Sequence, residues 1–365
     1  MDVTLVVDAL NGQLSGIGRY VRELARRVPQ EPGVGRARFF ASGGFVRNPE
    51  SLLQGVQPAP RLRLPRSIEQ ALMRHRLRSS LVHGPNYFLP EEAQAGVITC
   101  HDLSVFRYPE THPAERVEAF EREFGSSLER AAHVITDSET VRAEVIADFG
   151  VAKDKITAIP LGVGRGYRPR TIAELQPALH PLGLTANGYG LCVSTLEPRK
   201  KITELLRAWH QLPEPLRTST PLVLAGASGW LNEQLHEDIR AGAAAGWLKP
   251  LGFVSEAVLE ALYAGASLFL YPSIYEGFGL PPVEAMASGV PALVANRSCL
   301  PEVCGDAAGY VEPDDTEGFS GVIAEALTDS KWRKQAKAMG LERSARFTWE
   351  RCASATVEVY RSICP

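Results

Sequence analysis

Apolar and polar positions along the chain alternate between two rhythms. Short runs that are apolar almost throughout give way to longer stretches in which apolar residues recur every three or four positions. The first kind predicts buried strands, the second amphipathic helices. VTLVVDA followed by IGRYVRELARRV opens the series, and GVITC at 96–100, HVITDS at 133–138 with a helix to Phe149, and KITAIPLG continue it. A Gly-, Arg- and Pro-bearing stretch from Gly162 to Arg170 and a polar connector interrupt the alternation. It restarts at YGLCVST with a helix from Lys201 to Gln211, then PLVLAG, a helix over 231–245, LKPLG, a helix over 255–265, SLFLYPS, a helix over 281–288, PALVA and GYVE. Strands joined by helices, apolar on both faces, belong to parallel sheets. The pattern therefore predicts an α/β fold with two doubly wound, Rossmann-like domains, residues 1–170 and 171–345, and a C-terminal segment, 346–365. The helix in that segment, from Trp349 to Ser362, can pack on either domain, with a return to the first as one option. Open parallel sheets bind ligands at the carboxyl ends of their strands, so a cleft between the two domains is the expected binding place.

A length of 365 residues fits two domains of ordinary size. The first residues, MDVTLVVDAL, lack the basic start of a signal peptide and read as a strand. No run approaches the roughly 20 apolar residues a membrane helix needs; the best, Leu259 to Tyr271, is broken by Gly265 and Ser267. Six cysteines without a CxxC pair predict reduced thiols and a cytoplasmic protein. Thirty-nine Lys and Arg against 42 Asp and Glu leave a net charge of -3, without the basic field a general nucleic-acid binder needs. The balance is uneven: residues 1–170 hold 23 basic and 20 acidic side chains, the remainder 16 and 22. Nine arginines between Arg36 and Arg78 face only Glu50 and Glu69.

The strongest local motif is SLFLYPSIYEGFGLPPVEAMASGVPAL, a strand, a glycine-bearing turn, a helix opening near Pro281 or Pro282, and a second strand. Gly277 and Gly279 permit close backbone approach to an anion, and the helix start offers N–H groups and a positive dipole end. Glu276 and Glu284, eight positions apart, would repel a phosphate and suit hydroxyl donors, such as those of a sugar. A turn with surface carboxylates is the plain alternative. Arg199 and Lys200 follow the first strand of the second domain, where two cations can neutralise a leaving diphosphate or form a solvated pair. In the first domain, Gly16 to Arg19 fail the dinucleotide fingerprint for want of a third glycine or alanine. His101 ends the strand GVITC, and His83 lies in VHGPNYF; each is either a structural histidine or a site residue. Ser138 reads as a helix cap and Asp314-Asp315 as a helix start. HExxH, GxSxG, GxxxxGK[ST] and DxD are all absent, and neither a metal nor another cofactor is expected.

The run from Glu276 through Gly277, Phe278, Gly279, Leu280 and Pro281 to Glu284 resembles the Glu-x7-Glu signature of the retaining glycosyltransferases of family four. The likeness continues through Ala285, Ser288, Gly289, Pro291, LPEV and GDAA. The resemblance implies a GT-B fold of two Rossmann-like domains around a cleft. It implies that Glu276 holds donor-sugar hydroxyls, that Phe278, Gly279 and Leu280 lie at the donor sugar or diphosphate, and that Glu284 binds the ribose. It further implies that Arg199 and Lys200 stabilise the leaving diphosphate, that the loop at Gly16 covers the donor phosphates, and that His101, with His83 on the acceptor side, contacts sugar or acceptor. Adjacent Arg199 and Lys200, with Lys201 where Asn is common, and Gly226 to Trp230 are similar to the mannosyl- and rhamnosyltransferase branch. The implied donor is a GDP-sugar and the implied acceptor a glycan or polyprenyl-linked glycan of a bacterial surface polysaccharide. A UDP-sugar transferase, a sugar-nucleotide epimerase and an inactive nucleotide-sugar-binding subunit are the alternatives. The helix SIEQALMRHRLRSSL, with Ile68, Leu72 and His75 on one face, suits either peripheral docking on anionic lipid or packing inward through that apolar face.

Overall fold

A computed structural model describes residues 1–11, 16–55, 66–227, 229 and 233–364. The chain divides into two compact units. One holds Met1–Phe106, Glu115–Gly162 and Thr348–Pro365; the other holds Arg107–Ala114 and Val163–Phe347. The chain thus leaves the first unit at Gly162, ahead of the expected boundary at Arg170, after a short excursion at Arg107–Ala114.

The first unit is built on a seven-stranded sheet ordered β3-β2-β1-β4-β5-β6-β7. Its strands are β1 (Asp2–Val6), β2 (Arg36–Ala41), β3 (Gly44–Val46), β4 (Leu81–Gly84), β5 (Gly96–Cys100), β6 (Ala131–Thr136) and β7 (Ile156–Ala158). All neighbours pair parallel except β2 and β3, which are antiparallel at the edge. Its connecting helices are α1 (Gly16–Arg27), α2 (Arg66–Leu77), α3 (Ser104–Arg107), α4 (Ala114–Glu129) and α5 (Glu139–Phe149). Helix α1 forms because Tyr20, Val21 and Leu24 fall on one stripe and bury completely, while its last turn carries Arg26 and Arg27, which suit the negative dipole end. Ser138 caps α5 by accepting the Val141 N–H at 3.2 Å.

The second unit has a six-stranded, wholly parallel sheet ordered β10-β9-β8-β11-β12-β13. Its strands are β8 (Gly190–Val193), β9 (Leu222–Ala225), β10 (Leu248–Gly252), β11 (Leu268–Tyr271), β12 (Ala292–Ala295) and β13 (Ala308–Val311). Between and after them run α6 (Ile172–Leu179), α7 (Ile202–His210), α8 (Glu214–Ser219), α9 (Glu233–Ala244), α10 (Glu256–Gly265), α11 (Leu280–Ala287), α12 (Leu300–Cys304), α13 (Thr316–Thr328) and α14 (Ser330–Ser344). Asp315 caps α13 through the Gly318 N–H at 3.0 Å. Ile202, Leu205, Leu206 and Trp209 bury one face of α7 against the sheet, each contributing about 1.5–3 kcal/mol. Trp209 sits so close over β8 that a Cβ on Gly190 would lie 2.3 Å from its ring, which explains the glycine there.

The last helix, α15 (Trp349–Ile363), returns to the first unit. A buried polar chain joins it there to the sheet. Tyr360 Oη lies 2.6 Å from His83 Nδ1, His83 Nε2 lies 2.9 Å from Thr99 Oγ1, and Thr99 Oγ1 lies 3.0 Å from Tyr20 Oη. Among the described residues, no helix is long and apolar enough to cross a membrane.

Candidate active site

In both sheets the strand order reverses beside the first strand, between β1 and β4 in one and between β8 and β11 in the other. Loops leaving adjacent strands on opposite sides of the sheet part at such a point and leave a crevice. In the second unit the loops after β8 and β11 carry the residues that the sequence singled out.

After β8 the chain turns through Pro198–Lys200 and enters α7 by way of Lys201, whose φ of 53° is left-handed. Asparagine adopts that conformation more readily than lysine. Lys201 itself points to Glu204 at 3.3 Å and Asp314 at 2.8 Å. The turn after β11 is stitched to the first: Ile274 N–H donates to the Arg199 carbonyl at 3.0 Å, and Arg199 Nη1 donates to the Tyr275 carbonyl at 2.6 Å. Four charged side chains converge between the two turns, all buried. Lys200 Nζ bonds Glu276 Oε1 and lies 3.7 Å from Glu197 Oε1. Arg199 reaches Glu197 at 2.9 Å and Glu276 at 3.5 Å. Burial works against charge on Glu276, but Lys200 and Arg199 outweigh it and hold its carboxyl at about 2. Tyr271 closes the cluster, with its hydroxyl 3.4 Å from Lys200 Nζ; burial and the Glu276 charge push that phenol well above its usual range.

Glu276 is also gripped through its backbone. Ser298, at φ 53°, donates its hydroxyl to the Glu276 carbonyl at 2.7 Å and accepts the Glu276 N–H at 3.3 Å. Cys299 Sγ donates to the same carbonyl at 3.1 Å. The helix that follows begins at Leu280, not at the expected Pro281 or Pro282. Gly279 precedes it at φ 88°, and a Cβ there would lie 2.8 Å from Leu300. Pro281 and Pro282 carry no N–H, so the backbone donors of this helix end lie around Gly279 and Leu280. Phe278 packs edge-on to Phe347 at 5.3 Å. Glu284 is buried within α11.

In the first unit, Gly16 is the exposed first residue of α1; the loop before it, 12–15, lies outside the described residues, as do Ser228 and Trp230 of the Gly226–Trp230 run. His101 lies just beyond β5, buried between Tyr20 and Tyr87 with ring centroids 5.1 and 5.5 Å away. Its Nδ1 is 2.7 Å from Asp137 Oδ2 and its Nε2 2.9 Å from the Pro85 carbonyl. Burial disfavours charge on His101, yet Asp137, by charge and hydrogen bond, raises its pKa above the ordinary value. The Pro85 carbonyl only accepts, so Nε2 donates to it, while Nδ1 shares a proton with the Asp137 carboxyl, whose own pKa burial raises. His83 is different: it is fully buried in β4, both its nitrogens are taken by Thr99 and Tyr360, and burial, then the His101 charge, lowers it to about 3. The acceptor-side expectation for His83 is thereby corrected, because no ring atom is left to meet a ligand.

Glu197, Asp137, Ser298 and Cys299 are the site-building residues that the sequence did not single out. Glu197 stands two positions before Arg199 and Asp137 inside the run HVITDS, without a spacing that marks them. Among the described residues, no group of three His, Cys, Asp or Glu side chains forms a metal site.

Residues 187–343 match the family model described as "Glycosyl transferases group 1", and residues 14–165 that described as "Glycosyltransferase Family 4". The chain is 36% identical over 379 residues to the O-antigen chain mannosyltransferase B of Escherichia coli, covering 99% of this chain and 100% of that protein. It is 32% identical over 268 residues to the serotype-specific mannosyltransferase WbdA of the same species, covering 72% of this chain but only 33% of that longer protein. Among solved structures it resembles WaaG, a glycosyltransferase involved in lipopolysaccharide biosynthesis, with a TM-score of 0.73 at 16% identity over 98% of this chain and 99% of that one. Anabaena Alr3699/HepE in complex with UDP-glucose gives 0.75 at 18% identity over 99% and 100%. At such identities these two establish the fold.

Proposed function

The chain belongs to glycosyltransferase family 4, with the GT-B fold, and from that membership we propose that it moves a hexose, mannose or D-rhamnose, from a GDP-sugar to a hydroxyl of a lipid-linked or polysaccharide acceptor, with retention at the anomeric carbon. A place in surface-glycan synthesis rests on relatives named as O-antigen mannosyltransferases. The observation that carries the chemistry is the buried quartet of Lys200, Arg199, Glu197 and Glu276 at the sheet's reversal point, before the N-terminus of α11.

Two positive and two negative charges already sit out of water, so the cost of desolvating the cations is met on folding. A diphosphate arriving beside Lys200 and Arg199 meets fixed charges that need no rearrangement as the leaving group develops its negative charge. Glu276 and Glu284, as acceptors only, suit donor hydroxyls and not phosphate. Retention by double displacement would need a carboxylate beneath the anomeric carbon. The proposal instead follows a front-face path: the acceptor oxygen forms its bond to the anomeric carbon on the side from which the diphosphate departs, and the departing phosphate oxygen takes the acceptor's proton. Arg199, Lys200 and the helix end stabilise that leaving group. Neither metal nor cofactor enters the proposal, so transfer is expected to persist in EDTA.

Calorimetric titration with GDP and UDP tests the donor base. Tighter binding of GDP, with transfer from GDP-mannose or GDP-rhamnose to a lipid-linked acceptor, is expected. Tighter UDP binding overturns the GDP assignment, and donor turnover to an epimer without acceptor overturns transfer itself.

A further inference from the structure

The chain leaves the first unit after Phe106 and rejoins it at Glu115, and the residues between, Arg107–Ala114, belong to the second unit. They read RYPETHPA, in which two prolines remove backbone donors and fix φ, as suits a tight turn. The turn closes on Tyr108. Its carbonyl accepts the Thr111 N–H at 2.9 Å and the Thr111 hydroxyl at 2.7 Å, while the His112 N–H donates to the Pro109 carbonyl at 3.0 Å. Thr111 and His112 are both buried, so the turn is seated in the unit. From it the Tyr108 ring lies 5.1 Å from the ring of Tyr275, tilted by 44°, and Tyr275 is buried. The Tyr108 hydroxyl has no hydrogen-bond partner among the described residues, so what this side chain supplies to its surroundings is the ring.

Tyr275 stands where the parts of the charged quartet meet. Its carbonyl accepts from Arg199 Nη1 at 2.6 Å, its neighbour Ile274 donates to the Arg199 carbonyl at 3.0 Å, and Glu276, which grips Lys200, follows it directly. The other end of the Arg199 fork, Nη2, lies 2.9 Å from Glu197, and a planar guanidinium held at two points has one orientation. We propose that Tyr108 is a positioning residue of the donor site: by pinning the Tyr275 ring it fixes the Tyr275 carbonyl, and through that carbonyl the angle at which Arg199 meets the leaving diphosphate. Tilted aromatic pairs hold each other's orientation more firmly than apolar bulk of the same size does. Without the ring beside it, Tyr275 can turn, and a small misplacement of a group aimed at the transition state costs far more rate than the lost packing alone. The inference rests on the proposed transfer and deepens it, since it assigns a role at the donor site to a residue that lies in sequence between helices of the first unit.

Tyr108→Ala, Tyr108→Leu and Tyr108→Phe, each alone and combined with Arg199→Lys, test it by transfer rate and by calorimetric titration with GDP and UDP. Tyr108→Ala and Tyr108→Leu should each lower kcat about 10- to 100-fold. Nucleoside diphosphate affinity should stay within about twofold, because both cations remain charged. Tyr108→Phe keeps the ring and should transfer within about twofold of the unaltered rate. In the Arg199→Lys background the fork is gone, so Tyr108→Ala should cost less than about threefold. The leucine variant keeps most of the bulk and carries the test if a circular dichroism melt shows the alanine variant unfolded. Equal losses in the two backgrounds, or a lower melting temperature with kcat unchanged, overturn the inference and leave Tyr108 a packing residue. A phenylalanine variant as slow as the alanine one overturns it too, since the hydroxyl would then be meeting substrate. An unaltered protein that binds neither GDP nor UDP and transfers no sugar sinks the proposed function and this inference with it, whereas binding and transfer indifferent to Tyr108 sink this inference alone.

Discussion

Each unit places buried charge at the carboxyl ends of strands near its order reversal, but the two do so with different chemistry. In the first unit both nitrogens of His101 and of His83 are already taken: His101 meets Asp137 and Pro85, and His83 is held by Thr99 and Tyr360. Adding a ligand there would mean breaking a bond for each one made. In the second unit Lys200 and Arg199 share two carboxylates from two different turns, and under the proposed function the diphosphate takes over as their counter-charge while the donor's hydroxyls meet the carboxylate it frees. Buried charge in a closed hydrogen-bond set is scaffold, whereas buried charge held by an exchangeable counter-charge is poised for an ionic ligand.

The largest test of that contrast is Glu276→Gln. Its carboxyl stays ionised through the neutral range because its pKa is held at about 2, so removing the charge removes something always present. A fall in kcat of about 10²–10³ is expected, with nucleoside diphosphate binding retained because both cations remain. A circular dichroism melt would confirm folding, and near-normal transfer would remove Glu276 from the chemistry.

Asp137→Asn tests whether the first unit's charged pair is more than scaffold. Without the carboxylate, burial dominates at His101 and its pKa drops from its raised position, which disfavours the charged ring. If that charge assists transfer, kcat should fall about 10- to 100-fold, the worth of one charged hydrogen bond, and recover as the pH is lowered. A pH-rate profile reads this out; a flat, unchanged profile would assign the pair wholly to the scaffold.

A smaller effect is expected at Ser298, which steadies the Glu276 backbone without reaching the charges. Ser298→Ala should lower kcat about 3- to 10-fold with little change in the dissociation constant for the nucleoside diphosphate. An equal loss in both would mean that the loop, and not Glu276 alone, had moved.

The strand and helix alternation of both units was legible because buried parallel strands are apolar on both faces. Strands β2 and β3 were not: RARFFA carries two arginines and GFV is three residues long, as suits a sheet edge. The site split along the same line. Glu276, Gly279 and Glu284 share one turn and one helix, so their spacing is a sequence signal. Ser298 meets Glu276 from 22 positions away and Asp137 meets His101 from 36, distances at which no local period survives. His83 misled for that reason, since its decisive partner, Tyr360, lies 277 positions on. Ile68 and Leu72 were correctly placed on one face, but whether that face turned inward depended on where Leu77 was anchored.

The smallest catalytic effect belongs to His83, and there the comparison between the units predicts no change in rate at all. His83→Gln should leave kcat/KM at pH 7 unaltered while changing how stability responds to acid. In the folded protein His83 titrates at about 3, whereas in the unfolded chain it titrates near its ordinary 6.5. Between those values the unfolded state binds the extra proton, so this residue's contribution to stability falls as the pH drops below 6.5. The slope approaches about 1.4 kcal/mol per pH unit for one proton. Subtracting the variant's stability from that of the unaltered protein, by urea denaturation at each pH from 7 to 4, cancels the other titrating groups and isolates this one. A difference that shrinks steadily with acidity below pH 6.5 is expected; a flat difference would mean that His83 is protonated in place, and a loss of rate at pH 7 would return it to the acceptor side.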